Sequence, residues 1–411
     1  MATMTVEAAG SLEPVAREAW DALANPGWRV GQGGRAMREA NCGWPPGSEA
    51  AFNPFVTYDF LRALEEAGCV GERTGWHPRH LLLRDGSGDL IGAAPAYLKT
   101  HSKGEFVFDY GWADAFERAG GRYYPKLQIS VPFTPAQGPR LLAGRDPTGE
   151  RRELIAKALV ALAKETNASS VHATFLEPAD FAALVAAGYL ARLDVQFHFT
   201  NEGYATPDDF LAALASRKRK QVKRERREAL ANDITVRWLV GDDITEAHWD
   251  AFYKFYMDTG SRKWGRPYLN RRFFSLLGER LGHSTCLMIA ERAGRPIAGA
   301  LNFIGSETLF GRYWGCVEDH PFLHFEVCYY QAIDFAIAHG LKRVEAGAQG
   351  GHKLARGYEA CETRSAHHIG HPGLRDAVAR YLEAERREVV MHREALNEMA
   401  PFRKDLGSEN E

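Results

Sequence analysis

Cysteine is sparse in this chain. Cys42, Cys69, Cys286, Cys316, Cys328 and Cys361 lie far apart, with no C-x-x-C pair and no histidine at metal-ligand spacing. That argues against both a zinc site and a disulfide framework. Net charge is also scarce: the formal value of -2 excludes a surface that attracts polyanions everywhere, although a local basic patch is compatible with it. No window approaches the roughly 20 apolar residues of a membrane-spanning helix. The N-terminus, with Glu7 and Glu13 and no apolar core, does not read as a secretory signal. The expected location is cytoplasmic, with a peripheral position at the inner membrane still open, because adsorption needs only a basic or amphipathic face.

What is present is an ordinary globular composition, 45% hydrophobic and 25% charged, over a length that allows two cores. The same pattern occurs twice. Leu81 to Trp112 reads as an apolar run, an Asp85-Gly86 turn, a second run through Ile91-Gly92-Ala93 and a third run ending in aromatics and glycine. Cys286 to Gly315 repeats that order, with a turn at Ala293-Gly294 and a second run through Ile297 to Ala300. Each copy is followed by a helical stretch and another strand. The expectation is an α/β fold, with a mixed sheet flanked by helices in each half. The expected divisions are an N-terminal segment (1–50), a first module (51–203), a second module (204–372) opening on a basic helix from Asp208 to Leu230, and a C-terminal helix and tail (373–411).

Chemistry concentrates in the second copy. Glu345 to Tyr358 leaves a strand, passes through glycines and collects Glu345, Gln349, His352, Lys353, Arg356 and Tyr358. Strand ends in such sheets are where polar groups converge on a pocket. A solvated turn with helix-capping residues is the competing reading. The stretch matches neither G-x-x-x-x-G-K-[ST] nor a clean G-x-G-x-x-G. Upstream lie Tyr313, Trp314, His324, Glu326, Tyr329 and Tyr330. His324 with Glu326 suits a general base and its partner, and a tyrosine suits protonation of a leaving thiolate when an amine attacks a thioester. For any one of these residues, capping or packing is the simpler role. Arg217 to Arg227 is the strongest charge feature, and phosphates are its natural partners: those of CoA, an anionic lipid headgroup or tRNA. A solvated face with Glu225 and Glu228 as counterions is the plainer alternative. Trp264, within a basic and aromatic stretch, and Tyr124 with Lys126 in the first copy are candidates for lining the substrate.

Several stretches together resemble the FemAB-like family of bacterial N-acyltransferases, built from two GNAT-type modules. They are His77 to Leu83, Gly111 to Asp114, Arg122 to Lys126, Val131 to Pro135, Lys218 to Arg227, Lys263 to Tyr268, Gly311 to Gly315 and Glu345 to Tyr358. The resemblance implies acyl or aminoacyl transfer to an amine. It also shows a departure, since the [RQ]-x-x-G-x-[GA] loop that holds the CoA diphosphate in GNAT enzymes is replaced by Gly315-Cys316-Val317-Glu318-Asp319-His320. The preferred expectation is an N-acyltransferase with acyl-CoA as co-substrate and no further cofactor or metal, acting on an amine such as a long-chain sphingoid base, as in bacterial ceramide synthesis. Glu345, His352 or His324 would accept the proton. Lys353, Arg356, Gln349, Arg224 and Arg227 would hold phosphate or carboxylate, and Tyr313, Trp314, Glu326, Tyr124, Lys126 and Trp264 would line the substrate. The alternatives are an aminoacyl-tRNA-dependent transferase acting on a peptide or peptidoglycan precursor, and a non-catalytic ligand-binding protein.

Overall fold

The apolar runs are strands, and their turns have the chemistry the sequence suggested. A computed structural model describes residues 4–39, 50–263, 267–347 and 350–403. In the first copy the strands are His80–Arg84, Leu90–Ala94 and Ala96–Lys99; in the second they are Thr285–Arg292, Arg295–Ile304 and Thr308–Cys316. The Asp85 carboxylate closes its turn by accepting from the backbone N–H groups of Ser87 and Asp89. Ala293 and Gly294 both have positive φ, 50° and 71°, as a type I′ hairpin requires.

Each copy then crosses over through helix to a parallel strand. Lys126–Ile129 leads through the helix Glu150–Glu165 to Ser170–Ala173, and Thr308–Cys316 leads through helical turns from Leu323 to Ala338 to Arg343–Glu345. The α/β layering expected of GNAT-like modules, a mixed sheet flanked by helices, is therefore present, although His80–Arg84 and Leu90–Ala94 of the first copy pair with Thr5–Ala9 in a separate antiparallel sheet.

The chain divides into two compact units. The first comprises Met1–Asp194, Tyr268–Leu281 and Thr363–Val389; the second comprises Val195–Pro267, Gly282–Glu362 and Val390–Glu411. In the first unit, Leu81, Leu83, Leu127 and Ile129 pack against Ile155, Leu159 and Leu162 of the helix Glu150–Glu165. Full burial of one such leucine contributes about 1.5–3 kcal/mol. In the second unit, Cys286, Met288, Ala290 and Leu309 meet Val327, Ile333 and Ile337 of the crossover.

Two expectations change. The run expected to continue to Trp112 ends at Lys99, and Tyr110–Arg118 is a helix. The reason is packing at helical spacing: Trp112, Ala113 and Phe116 share a cluster with Ile369, Leu374 and Val378. The expected helix from Asp208 to Leu230 is two helices, Pro207–Ala213 and Ser216–Ala229. Leu214 and Ala215 turn extended, and the Ala215 N–H bonds the Pro401 carbonyl at 2.9 Å.

One glycine sets how closely the strand Thr308–Cys316 meets its covering helix. A Cβ on Gly315 would overlap the Phe255 carbonyl of the helix Glu246–Lys263. Backbone cannot yield there as a flexible side chain would. Gly315→Ala is expected to cost about 1–3 kcal/mol, read as a lower urea midpoint with an unchanged m-value.

Candidate active site

The site begins where two parallel strands part. Thr308–Cys316 pairs with Arg343–Glu345 only through Thr308, Leu309 and Phe310; the first strand then runs on to Cys316 while its neighbour stops at Glu345. On its other edge, Asn302 pairs with Gly311 and Leu301 with Tyr313, so Arg312 is a bulge that disturbs the ladder at the same level. The chain after the strand turns through Phe322, a non-glycine residue at φ 60°, before the helical crossover. Bulky residues held in that conformation are costly and gather at functional sites. Within the crossover, Glu326–Tyr330 is a π-helical turn, another local irregularity common at such sites.

These irregularities converge on an aromatic and imidazole cluster. The Tyr329 hydroxyl and His352 Nε2 are 3.1 Å apart. The His324 ring lies 5.4 Å from Tyr329, 5.2 Å from Trp314 and 6.4 Å from His352, centroid to centroid. Tyr329 is buried, and burial raises its phenol above the ordinary value, so it stays neutral and able to donate. His352 is exposed and His324 half-buried. A cleft of about 390 Å³ opens beside them, lined by Trp314, Cys316, Phe322, Leu323, His324 and Phe325. Glu318 and Asp319 are also in its wall. Glu318 is held by His320 at 3.0 Å and Arg292 at 2.8 Å, contacts that keep its carboxyl below the usual range.

Behind the cluster lies a buried ionic scaffold. Arg356 stacks its guanidinium 3.5 Å over the Phe325 ring and donates to the His352 carbonyl at 2.6 Å. Its other nitrogens reach Glu225 at 2.9 and 3.1 Å. Glu225 also accepts from the Tyr330 hydroxyl at 2.5 Å. Arg226 is shared between Glu326 at 3.0 Å and Asp334 at 2.6 Å. The inner face of the basic helix thus fixes both the π-helical turn and the loop that presents His352.

Several residues expected to meet ligands are instead internal. Glu326 is fully buried, bound by Arg226 and by Gln331 at 2.7 Å, and contributes no cleft surface. The Arg356 charge is spent on Glu225. Lys353 is buried, with its ammonium on the carbonyls of Ala346 and Gly347 at 2.6 and 3.0 Å, and burial pushes its pKa down to about 8. Glu345 is buried at the end of its strand, opposite His198. Tyr313 packs edge-on against Tyr256. Arg224 and Arg227 are exposed on the basic helix. Gln349 and Trp264 lie outside the described residues.

Tyr124 and Lys126 belong to a separate network in the first unit. Lys126, 1% exposed, contacts Asp109 at 2.5 Å and Ser102 at 2.7 Å, and Ser102 meets the Tyr124 hydroxyl at 2.8 Å. Sequence reasoning missed Phe325, and it named Tyr330 only within the upstream polar cluster and Glu225 only as a surface counterion, neither as site scaffold. One signal was available for Glu225: it shares the inward helical stripe of Val222 and Ala229, an unusual place for a carboxylate without a partner.

Solved structures of similar fold include FemX (11% identity, TM-score 0.49, 85% of this chain and 94% of that one). L-PGS from Bacillus licheniformis is similar at 10% identity and TM-score 0.47, over 78% of this chain and 95% of that one. A tandem GNAT protein from the clavulanic acid biosynthesis pathway is similar at 12% identity and TM-score 0.41, over 90% and 99%. Curated proteins give no match to the sequence. Among the described residues no helix is long and apolar enough to cross a membrane. Residues 11–404 match the family described as peptidoglycan biosynthesis/recognition, and the chain belongs to that FemAB-like family.

Proposed function

We propose that the second unit carries an N-acyltransferase centre. Membership of the FemAB-like family supports an acyltransferase-type activity. The observation that carries the residue assignment is the 3.1 Å contact between Tyr329 and His352 beside the cleft lined by His324. The attacking amine forms the new N–C bond at the acyl carbon and gives its proton to His324. The bond to the leaving sulfur or oxygen breaks, and Tyr329 supplies the proton that atom needs. His352, hydrogen-bonded to the phenol, restores it. Trp314, Phe322, Leu323 and Phe325 give the cleft an apolar wall suited to a hydrocarbon chain. The preferred pair is therefore an acyl-CoA thioester and a lipidic amine such as a sphingoid base.

The test is a thiol-release assay over acyl-CoA chain lengths with a panel of amines. His352→Ala and Tyr329→Phe should each slow turnover by roughly a hundredfold. Unchanged rates in both variants and in His324→Ala would sink the assignment.

One observation favours a second donor. Glu318 and Asp319 stand where the GNAT loop would hold a diphosphate, and carboxylates repel phosphate there. A donor whose phosphates bind elsewhere, such as aminoacyl-tRNA, avoids that repulsion. It predicts tight binding of tRNA at low salt that falls steeply as salt rises.

A further inference from the structure

The proposed chemistry uses only the inner face of the basic helix Ser216–Ala229. Val222, Glu225 and Ala229 are buried there, with Arg226 ion-paired beside them. Arg217, Lys220, Lys223, Arg224 and Arg227 are exposed and recur at three- and four-residue steps. At 100° per residue they occupy about one third of the circumference, directly opposite the buried stripe, and extend about 15 Å along the axis. Among the described residues Arg217, Lys220, Lys223 and Arg227 form no ion pair, and Arg224 has only a 3.7 Å contact with Glu228, both side chains being largely exposed. A chain with a formal charge of -2 thus concentrates positive charge on one straight edge.

A second feature indicates what that edge meets. Met399, 61% exposed, follows directly on the C-terminal helix Pro372–Glu398. The segment just after it is bonded to the residues that precede the basic helix: the Ala215 N–H to the Pro401 carbonyl at 2.9 Å and the Arg403 N–H to the Ala213 carbonyl at 3.0 Å. An exposed, unbranched apolar side chain is therefore fixed near the start of the cationic stripe. Lipid headgroups answer the cations, and the acyl boundary answers the methionine. A face built for single-stranded RNA would set aromatic stacking platforms among its cations, and the helix SRKRKQVKRERREA has none.

We infer that the second unit docks on an anionic bilayer through the outer face of this helix, with Met399 at the contact's edge. The inference is independent of the catalytic assignment, because none of these residues takes part in it.

Cosedimentation of the full chain with vesicles tests it. Phosphatidylcholine vesicles containing phosphatidylglycerol should retain the protein, pure phosphatidylcholine should not, and added salt should release it. The triple variant Arg217→Ser, Lys220→Ser, Lys223→Ser should weaken binding by roughly a hundredfold, with its thermal midpoint unchanged. Met399→Ser should weaken it by a few-fold. Equal retention on neutral vesicles, undiminished binding by the triple variant, or tighter binding to RNA than to anionic vesicles at the same salt would each overturn the inference.

Discussion

Glu225→Gln is expected to lower stability by about 3–5 kcal/mol and to impair turnover even where the protein remains folded. Glu225 is 2% exposed and is the carboxylate that answers the buried Arg356 guanidinium. Replacing it with the neutral amide leaves that cation uncompensated in a medium where water cannot reach it. It also weakens the acceptor for Tyr330. The effect reaches the proposed site through one bond, from Arg356 to the His352 carbonyl. His352 sits after Gly350, which has φ 102°, and next to Gly351, so its own backbone does little to hold it.

A purely structural role for Glu225 would lower the thermal midpoint and leave the folded fraction reacting as before. The positioning role predicts a further change. At a temperature where Glu225→Gln is fully folded, the rate of carbethoxylation of His352 by diethyl pyrocarbonate should differ from the parent. Identical labelling profiles would remove the positioning role while leaving the catalytic assignment to be judged on His352→Ala.

The repeat and the fold class were legible because they rest on local signals. Apolar runs of strand length, the Asp85 and Ala293-Gly294 turns and the amphipathic closing helix are each read within a few residues. What escaped depends on long-range partners. Arg356 and Glu225 are 131 positions apart, and Arg226 and Asp334 are 108. Periodicity places each residue on a face but does not say which charge lies across the gap. Lys353, Arg356 and Glu326 therefore looked like ligands for a substrate, whereas folding commits them to carbonyls and opposite charges. The pair His324 and His352 was legible by residue type. Its alignment with Tyr329 required the π-helical turn, which no local pattern announces.

The first unit offers the other large effect, through two buried lysines in opposite situations. Lys126 lies 2.5 Å from Asp109 and 3.2 Å from Glu105, while Asp109 also accepts from Tyr123 at 2.7 Å. The Glu105 contact is one of charge, since among the described residues neither Glu105 Oε1 nor Asp109 Oδ1 has a hydrogen-bond partner. Burial pushes the Asp109 carboxyl up, yet Lys126, His172 and Ser102 outweigh it and hold the group well below the usual carboxylate range. Lys126→Met removes the principal counter-charge and should cost about 3–5 kcal/mol at neutral pH. Asp109 then titrates upward, so the deficit should shrink as the solution is acidified and the carboxyl is neutralised.

Lys99 behaves differently. Its ammonium is 3.4 Å from Glu105 and 3.5 Å over the Trp76 ring, and burial, only partly offset by Glu105, lowers its pKa from 10.5 to about 7. Between those values the unfolded chain keeps a proton that the folded chain has released, so folding stability should rise with pH across that window. Lys99→Met should remove this rise and cost far less than Lys126→Met. Urea unfolding of both variants at pH 6, 7 and 9 separates the cases. Equal losses at every pH would mean that the two lysines share one role.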